Sequence, residues 1–81
     1  MKDIFTKLIN SFVKPNHPKI KAVDVYVLGA METKMYVVRI RSYYDLQKEE
    51  RKSINKDVRQ VFDSMSLPKT SDFMISYSKL G

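Results

Sequence analysis

The 81-residue chain carries 15 Lys and Arg against 9 Asp and Glu, a formal net charge of +6, and it has no cysteine. That composition excludes disulfides and thiolate metal sites, and no apolar run approaches the roughly 18 residues that span a bilayer. A chain this short buries only a little over about 60% of its unfolded surface, so one domain with one core is expected over residues 1–81.

The charge is unevenly spread. Residues 45–65 hold five basic and five acidic side chains, whereas residues 1–44 carry +5 and the tail +1. An anionic partner would therefore meet the N-terminal half. Polar residues interrupt the stretch after Lys2, and no small-residue cleavage site follows, so it does not read as a signal peptide. The lack of cysteine fits a reducing compartment, and a cytoplasmic location is the expectation.

Residues 3–13 place Ile4, Phe5, Leu8, Ile9, Phe12 and Val13 on one helical face. Asp3 is placed to cap the start of this helix, and Pro15 and Pro18 end it. Lys2, Lys7 and Lys14 run along the other face, a pattern that suits a membrane interface, although packing on a sheet is favoured and a membrane-surface partner is not expected. Residues 20–28 and 34–42 are β-branched and alternating, and they flank the only internal glycine, Gly29. They read as a hairpin with a loop of about four residues.

Pairing Val27 with Tyr36 puts Val23, Val25 and Val27 on one face with Tyr36, Val38 and Ile40. Asp24 then lies opposite Arg39, and a cross-strand ion pair is expected. A second helix spans residues 46–65 with a stripe of Ile54, Val58, Val61, Phe62 and Met65. The stripe is absent from residues 47–52, so that segment either projects past the core or forms a separate turn before a cap at Ser53. Residues 72–80 read as a third strand, with Phe73, Ile75 and Tyr77 on its core face.

The element order α-β-β-α-β predicts an α+β fold: a three-stranded mixed sheet of order 2-1-3, with two helices on one face and strands 2 and 3 at the edges. The order is similar to the type II KH-like arrangement of some RNA-binding modules, in element order alone. The GxxG clamp of those modules would fall near residues 52–55, "KSIN", which hold no glycine.

Catalytic chemistry is sparse. His17, between two prolines, is the only histidine and reads as an exposed loop residue. Glu49, Glu50, Asp57 and Asp63 read as solvated charge on a helix crowded with cations. There is no Gly-rich phosphate loop, and no enzyme activity, metal or cofactor is expected.

The face of the sheet away from the helices would show Tyr26, Leu28, Met35, Val37 and Met74, rimmed by Arg39, Arg41, Ser76 and Ser78. Such a contiguous apolar patch, mixing Tyr, Met and Arg, points to a protein interface. The leading reading is a small non-enzymatic protein-binding or regulatory domain, acting through that face and its edge strands on a protein partner or as a homodimer. The alternative is an RNA- or DNA-binding domain using Lys19, Lys21, Lys34, Arg39 and Arg41. "RIRSYY", residues 39–44, sets arginines beside aromatics as single-strand-binding sheets do, but "KMYVVRIRSYY" lacks the glycine and aromatic spacing of an RNP1 motif.

Overall fold

The structure is a computed structural model, and it describes residues 2–29 and 33–79. Residues 30–32, within the loop expected from the sequence, and Leu80, at the end of the expected third strand, lie outside the described residues. Helix α1 spans Lys2–Phe12, strand β1 Ile20–Leu28, strand β2 Met35–Ser42, helix α2 Lys48–Ser64 and strand β3 Asp72–Lys79. A short 3-10 turn, Lys14–Asn16, follows α1 and carries Pro15 where its missing N–H costs nothing.

The sheet order is β1-β2-β3, not 2-1-3. β1 and β2 pair antiparallel in the expected register, Val27 opposite Tyr36 and Val25 opposite Val38. β3 lies parallel to β2, with Phe73 opposite Tyr36 and Ile75 opposite Val38. The edges are therefore β1 and β3, and β2 is central. The physical reason is legible in hindsight. Strands consecutive in sequence neighbour one another about two-thirds of the time, and β2-α2-β3 is the simplest crossover unit. β1 also has the character of an edge: a bulge between Ile20 and Ala22 leaves Lys21 outside the ladder.

Both helices cover the sheet face that carries Val23, Val25, Tyr36, Val38, Ile40 and Phe73, all buried. Four rings join the layers. Phe5 of α1 meets Tyr36 edge-on at 5.8 Å, and Phe62 of α2 lies 5.7 Å from Phe5, 6.0 Å from Tyr36 and 5.1 Å from Phe73. Such edge-to-face and tilted contacts suit the ring quadrupoles.

α1 buries a narrower stripe than its pattern suggests. Phe5, Ile9 and Val13 are fully buried, whereas Ile4 and Phe12 are exposed and Leu8 is half-buried. With a three-stranded sheet and two helices there is cover for one i, i+4, i+8 row, not for two. Asp3 lies inside the first turn of α1, not before it. α2 is one continuous helix from Lys48, so neither a separate turn nor a cap at Ser53 forms. Its first turn is held instead by the Glu50 carboxylate, which accepts from the Gln47 backbone N–H at 3.0 Å.

Gly29 leaves β1 with φ +102, and a Cβ there would collide with the Thr33 carbonyl oxygen, so only glycine fits.

Candidate functional site on the open sheet face

Alternation along each strand sends every second residue away from the helices. Registered across the sheet, these residues form rows: Leu28 beside Met35 and Asp72, Tyr26 beside Val37 and Met74, Asp24 beside Arg39 and Ser76, Ala22 beside Arg41 and Ser78. The first two rows are apolar except for Asp72, whose carboxylate accepts from the Phe73 N–H at 2.7 Å and lies 4.0 Å from Arg59 of α2. Tyr26 is 45% exposed, Leu28 56% and Met74 49%, and Met35 and Val37 are half-buried. No element of the described residues covers them.

The next two rows are polar, and their pairing departs from expectation. Asp24 lies opposite Arg39 in register, but its carboxylate accepts from Arg41 at 3.0 Å, one row away. Arg39 turns the other way and donates to the Tyr26 hydroxyl at 3.0 Å. That bond, more than the nearby Asp24 charge, pushes the Arg39 guanidinium further above its ordinary value, so it stays charged. The diagonal choice is available because Arg41 reaches Asp24 along the sheet surface, about one residue pair distant. Arg41 Nε is buried with no hydrogen-bond partner among the described residues. The two arginines thus fix the tyrosine and the aspartate at the border of the apolar rows.

The cations of the nucleic-acid reading are dispersed. Lys19 is bound to Glu50 at 3.0 Å, on the helix side. Lys21 lies 5.9 Å over the Tyr43 ring. Arg39 and Arg41 are engaged on the open face as described, and Lys34 is exposed beside the hairpin. Four of these five cations already hold an intramolecular partner. Tyr43 and Tyr44 leave the end of β2 with both rings exposed. Tyr43 N–H donates to the Lys19 carbonyl, and Ser42 Oγ to the Tyr44 carbonyl, so their backbones close the sheet-to-helix junction.

His17 is not a plain exposed residue. Its Nε2 lies 2.8 Å from Asp57 Oδ2, with the two side chains 14% and 27% exposed. With Lys19 on Glu50, this contact ties the segment after α1 to one flank of α2. Asp57 and Glu50 are therefore bound carboxylates rather than solvated ones. The Gln47 N–H first, and Lys19 second, hold the Glu50 carboxyl below its ordinary value. On the opposite flank, Arg51 lies 5.1 Å from the Tyr77 ring centroid, and the Tyr77 hydroxyl donates to the Arg51 carbonyl at 3.1 Å. Burial raises the Tyr77 phenol, and Arg51 partly opposes this. No local sequence signal announces the His17–Asp57, Lys19–Glu50 and Arg51–Tyr77 contacts, since their partners are far apart along the chain.

Among the described residues, no group of three or more His, Cys, Asp or Glu side chains is placed to hold a metal ion, and no helix is long and apolar enough to cross a membrane.

The architecture is that of a small α+β domain. The chain is similar to the solved MamB CTD magnetosome protein of Desulfamplus magnetovallimortis BW-1, with a TM-score of 0.64 and 12% identity, covering 98% of this chain and 94% of that one. At this identity the likeness shows the fold alone. No protein-family model matches the chain, and no curated protein matches it.

Proposed function

We propose that the protein is a non-enzymatic protein-binding domain that docks a partner on the open sheet face. The observation that carries this reading is the uncovered pair of apolar rows, Leu28–Met35 and Tyr26–Val37–Met74, bordered by Arg39 and Arg41. Contiguous apolar surface rimmed by polar groups marks interaction sites on soluble domains. Tyr, Met and Arg are also the residue types enriched in protein contacts. Tyr26 and Arg39 are already positioned by their mutual hydrogen bond, so little side-chain freedom is lost on docking. The fold likeness to a MamB CTD is compatible with a small binding domain. The engagement of Lys19, Lys21, Arg39 and Arg41 within the chain leaves the nucleic-acid reading without support.

The test is affinity capture from extract of the source cells with and without nuclease treatment, comparing the wild type with Val37→Asp and with the double variant Lys34→Ala/Arg41→Ala. The expected result is a defined protein retained by the wild type at high salt and lost with Val37→Asp. Capture that disappears on nuclease treatment, falls steeply with salt and is lost only in the double variant would overturn the reading.

A further inference from the structure

The direction in which β3 presents its backbone can be read from two contacts. Asp72 N–H donates to the Lys34 carbonyl at 3.0 Å, on the β2 side. Within a strand the N–H and C=O of one residue point to the same side, and the side alternates along the chain. Asp72, Met74, Ser76 and Ser78 therefore bond towards β2, and Phe73, Ile75, Tyr77 and Lys79 present their amides and carbonyls outward. The Phe73 amide agrees: it is taken up by the Asp72 carboxylate at 2.7 Å, not by β2.

The β3 edge is blunted only at its ends, by the charges of Asp72 and Lys79. It runs eight residues, Asp72–Lys79, without proline, glycine or bulge, and between its end residues every side chain is uncharged. The β1 edge differs. It has a bulge at Lys21 and a charge at Asp24, and the first turns of α1 lie along it, where Lys2, Asp3 and Thr6 border a depression with Val25 and Tyr26.

We propose that β3 pairs antiparallel with β3 of a second copy, about a two-fold axis at Ile75, doubling the three-stranded sheet. Three observations favour this occupant. The strand ends carry opposite charge, so antiparallel pairing sets Asp72 opposite Ser78 of the second copy, one residue from its Lys79, where in-register parallel pairing would set Asp72 on Asp72 and Lys79 on Lys79. With Ile75 on the axis, the Ile75 pair can exchange both backbone hydrogen bonds, and Phe73 faces Tyr77 of the second copy, whose outward amide can donate to the Phe73 carbonyl while the Phe73 amide stays on Asp72. Ile75 and Tyr77 are only half-buried beside the helices, and their counterparts would complete that cover. The contact is isologous, which closes the assembly at two copies. The inference stands on the β3 edge and not on the open-face reading, since the pairing leaves that face free and merely extends it.

The test uses the full chain, by light scattering after size exclusion at about 0.15 M and about 1 M salt, with residue-resolved amide hydrogen exchange. The wild type is expected to be a dimer at both salts, with the Ile75 and Tyr77 amides as protected as those of β2. Ile75→Pro removes an outward N–H that β2 does not use, and Ile75→Lys adds an edge charge; both are expected to give folded monomers. Val37→Asp on the open face is expected to remain dimeric. A monomeric wild type with fast exchange at Ile75 and Tyr77 overturns the proposal, and so does a dimer that Val37→Asp dissociates and Ile75→Lys leaves intact. The exchange measurement needs no variant, so misfolding of either Ile75 variant does not remove the test.

Discussion

The two faces of the sheet are built from alternate residues of the same three strands, yet they meet different fates. The helix-side face, centred on Tyr36, Val38 and Ile40, is almost wholly removed from water, whereas Tyr26, Leu28 and Met74 on the other face keep about half their surface exposed. Both faces are apolar at their centre. Hydrophobicity alone thus does not separate core from interaction surface in this chain. What separates them is the supply of cover, since the two helices can shield one side only.

The comparison can be broken most sharply on the covered side. Phe62→Ala removes the ring that contacts Phe5, Tyr36 and Phe73, and it is expected to cost about 3–5 kcal/mol in urea unfolding. The equivalent insult to the open face, Val37→Asp, should cost only about 1 kcal/mol, the span of strand propensity at an uncovered site. Equal losses for the two variants would mean that the open face is structural and would end its assignment as a free surface.

His17→Ala probes a flank rather than a face. It leaves the Asp57 carboxylate without its 2.8 Å partner and is expected to cost about 1.5–3 kcal/mol, as for a hydrogen bond to a charged group. No change in the unfolding midpoint would show the contact to be replaceable by water.

The smallest effect concerns Glu50, and it is read as a pH dependence. Its carboxyl is held below the ordinary value by the Gln47 N–H and Lys19. The unfolded chain therefore binds that proton more tightly, so the contribution is present above the unfolded pKa and is lost as pH falls through the folded one. Glu50→Gln is expected to lower the melting temperature slightly at neutral pH and to flatten the decline on the acid side. An unchanged acid limb would place the carboxylate in solvent.

Much of the fold is legible in the sequence, and the failures have physical causes. The hairpin register follows from the phase of its valines, because a slip of one residue would expose all of them. The row Phe5, Ile9 and Val13 is likewise readable, but periodicity cannot tell how wide a stripe the sheet will accept, and Ile4 and Phe12 stay outside. Sheet order is decided by where the crossover docks, a non-local event that no window of β2 or β3 encodes. Tyr26, Leu28, Met35, Val37, Arg39, Arg41 and Met74 come together on the open face from strand parity alone. The diagonal Asp24–Arg41 pair does not follow from parity, because register fixes the backbone and leaves long side chains a choice of row. His17 and Asp57 sit 40 residues apart and give no local sign of each other.

The central position of β2 also bears on the order of events during folding. β1 and β2 are joined by a short connection at Gly29, so their ladder closes at little entropic cost, whereas β3 must wait for α2 to cross over. Until then the far side of β2 is an unpaired hydrophobic edge. Substitutions in the hairpin core, such as Val38→Ala, are accordingly expected to slow refolding, and those in β3, such as Phe73→Ala, to speed unfolding instead. Stopped-flow chevrons would distinguish the two, and the reverse pattern would make the crossover unit the nucleus. In crowded synthesis, the interval before β3 arrives is when this small sheet is most exposed to pairing with the wrong chain.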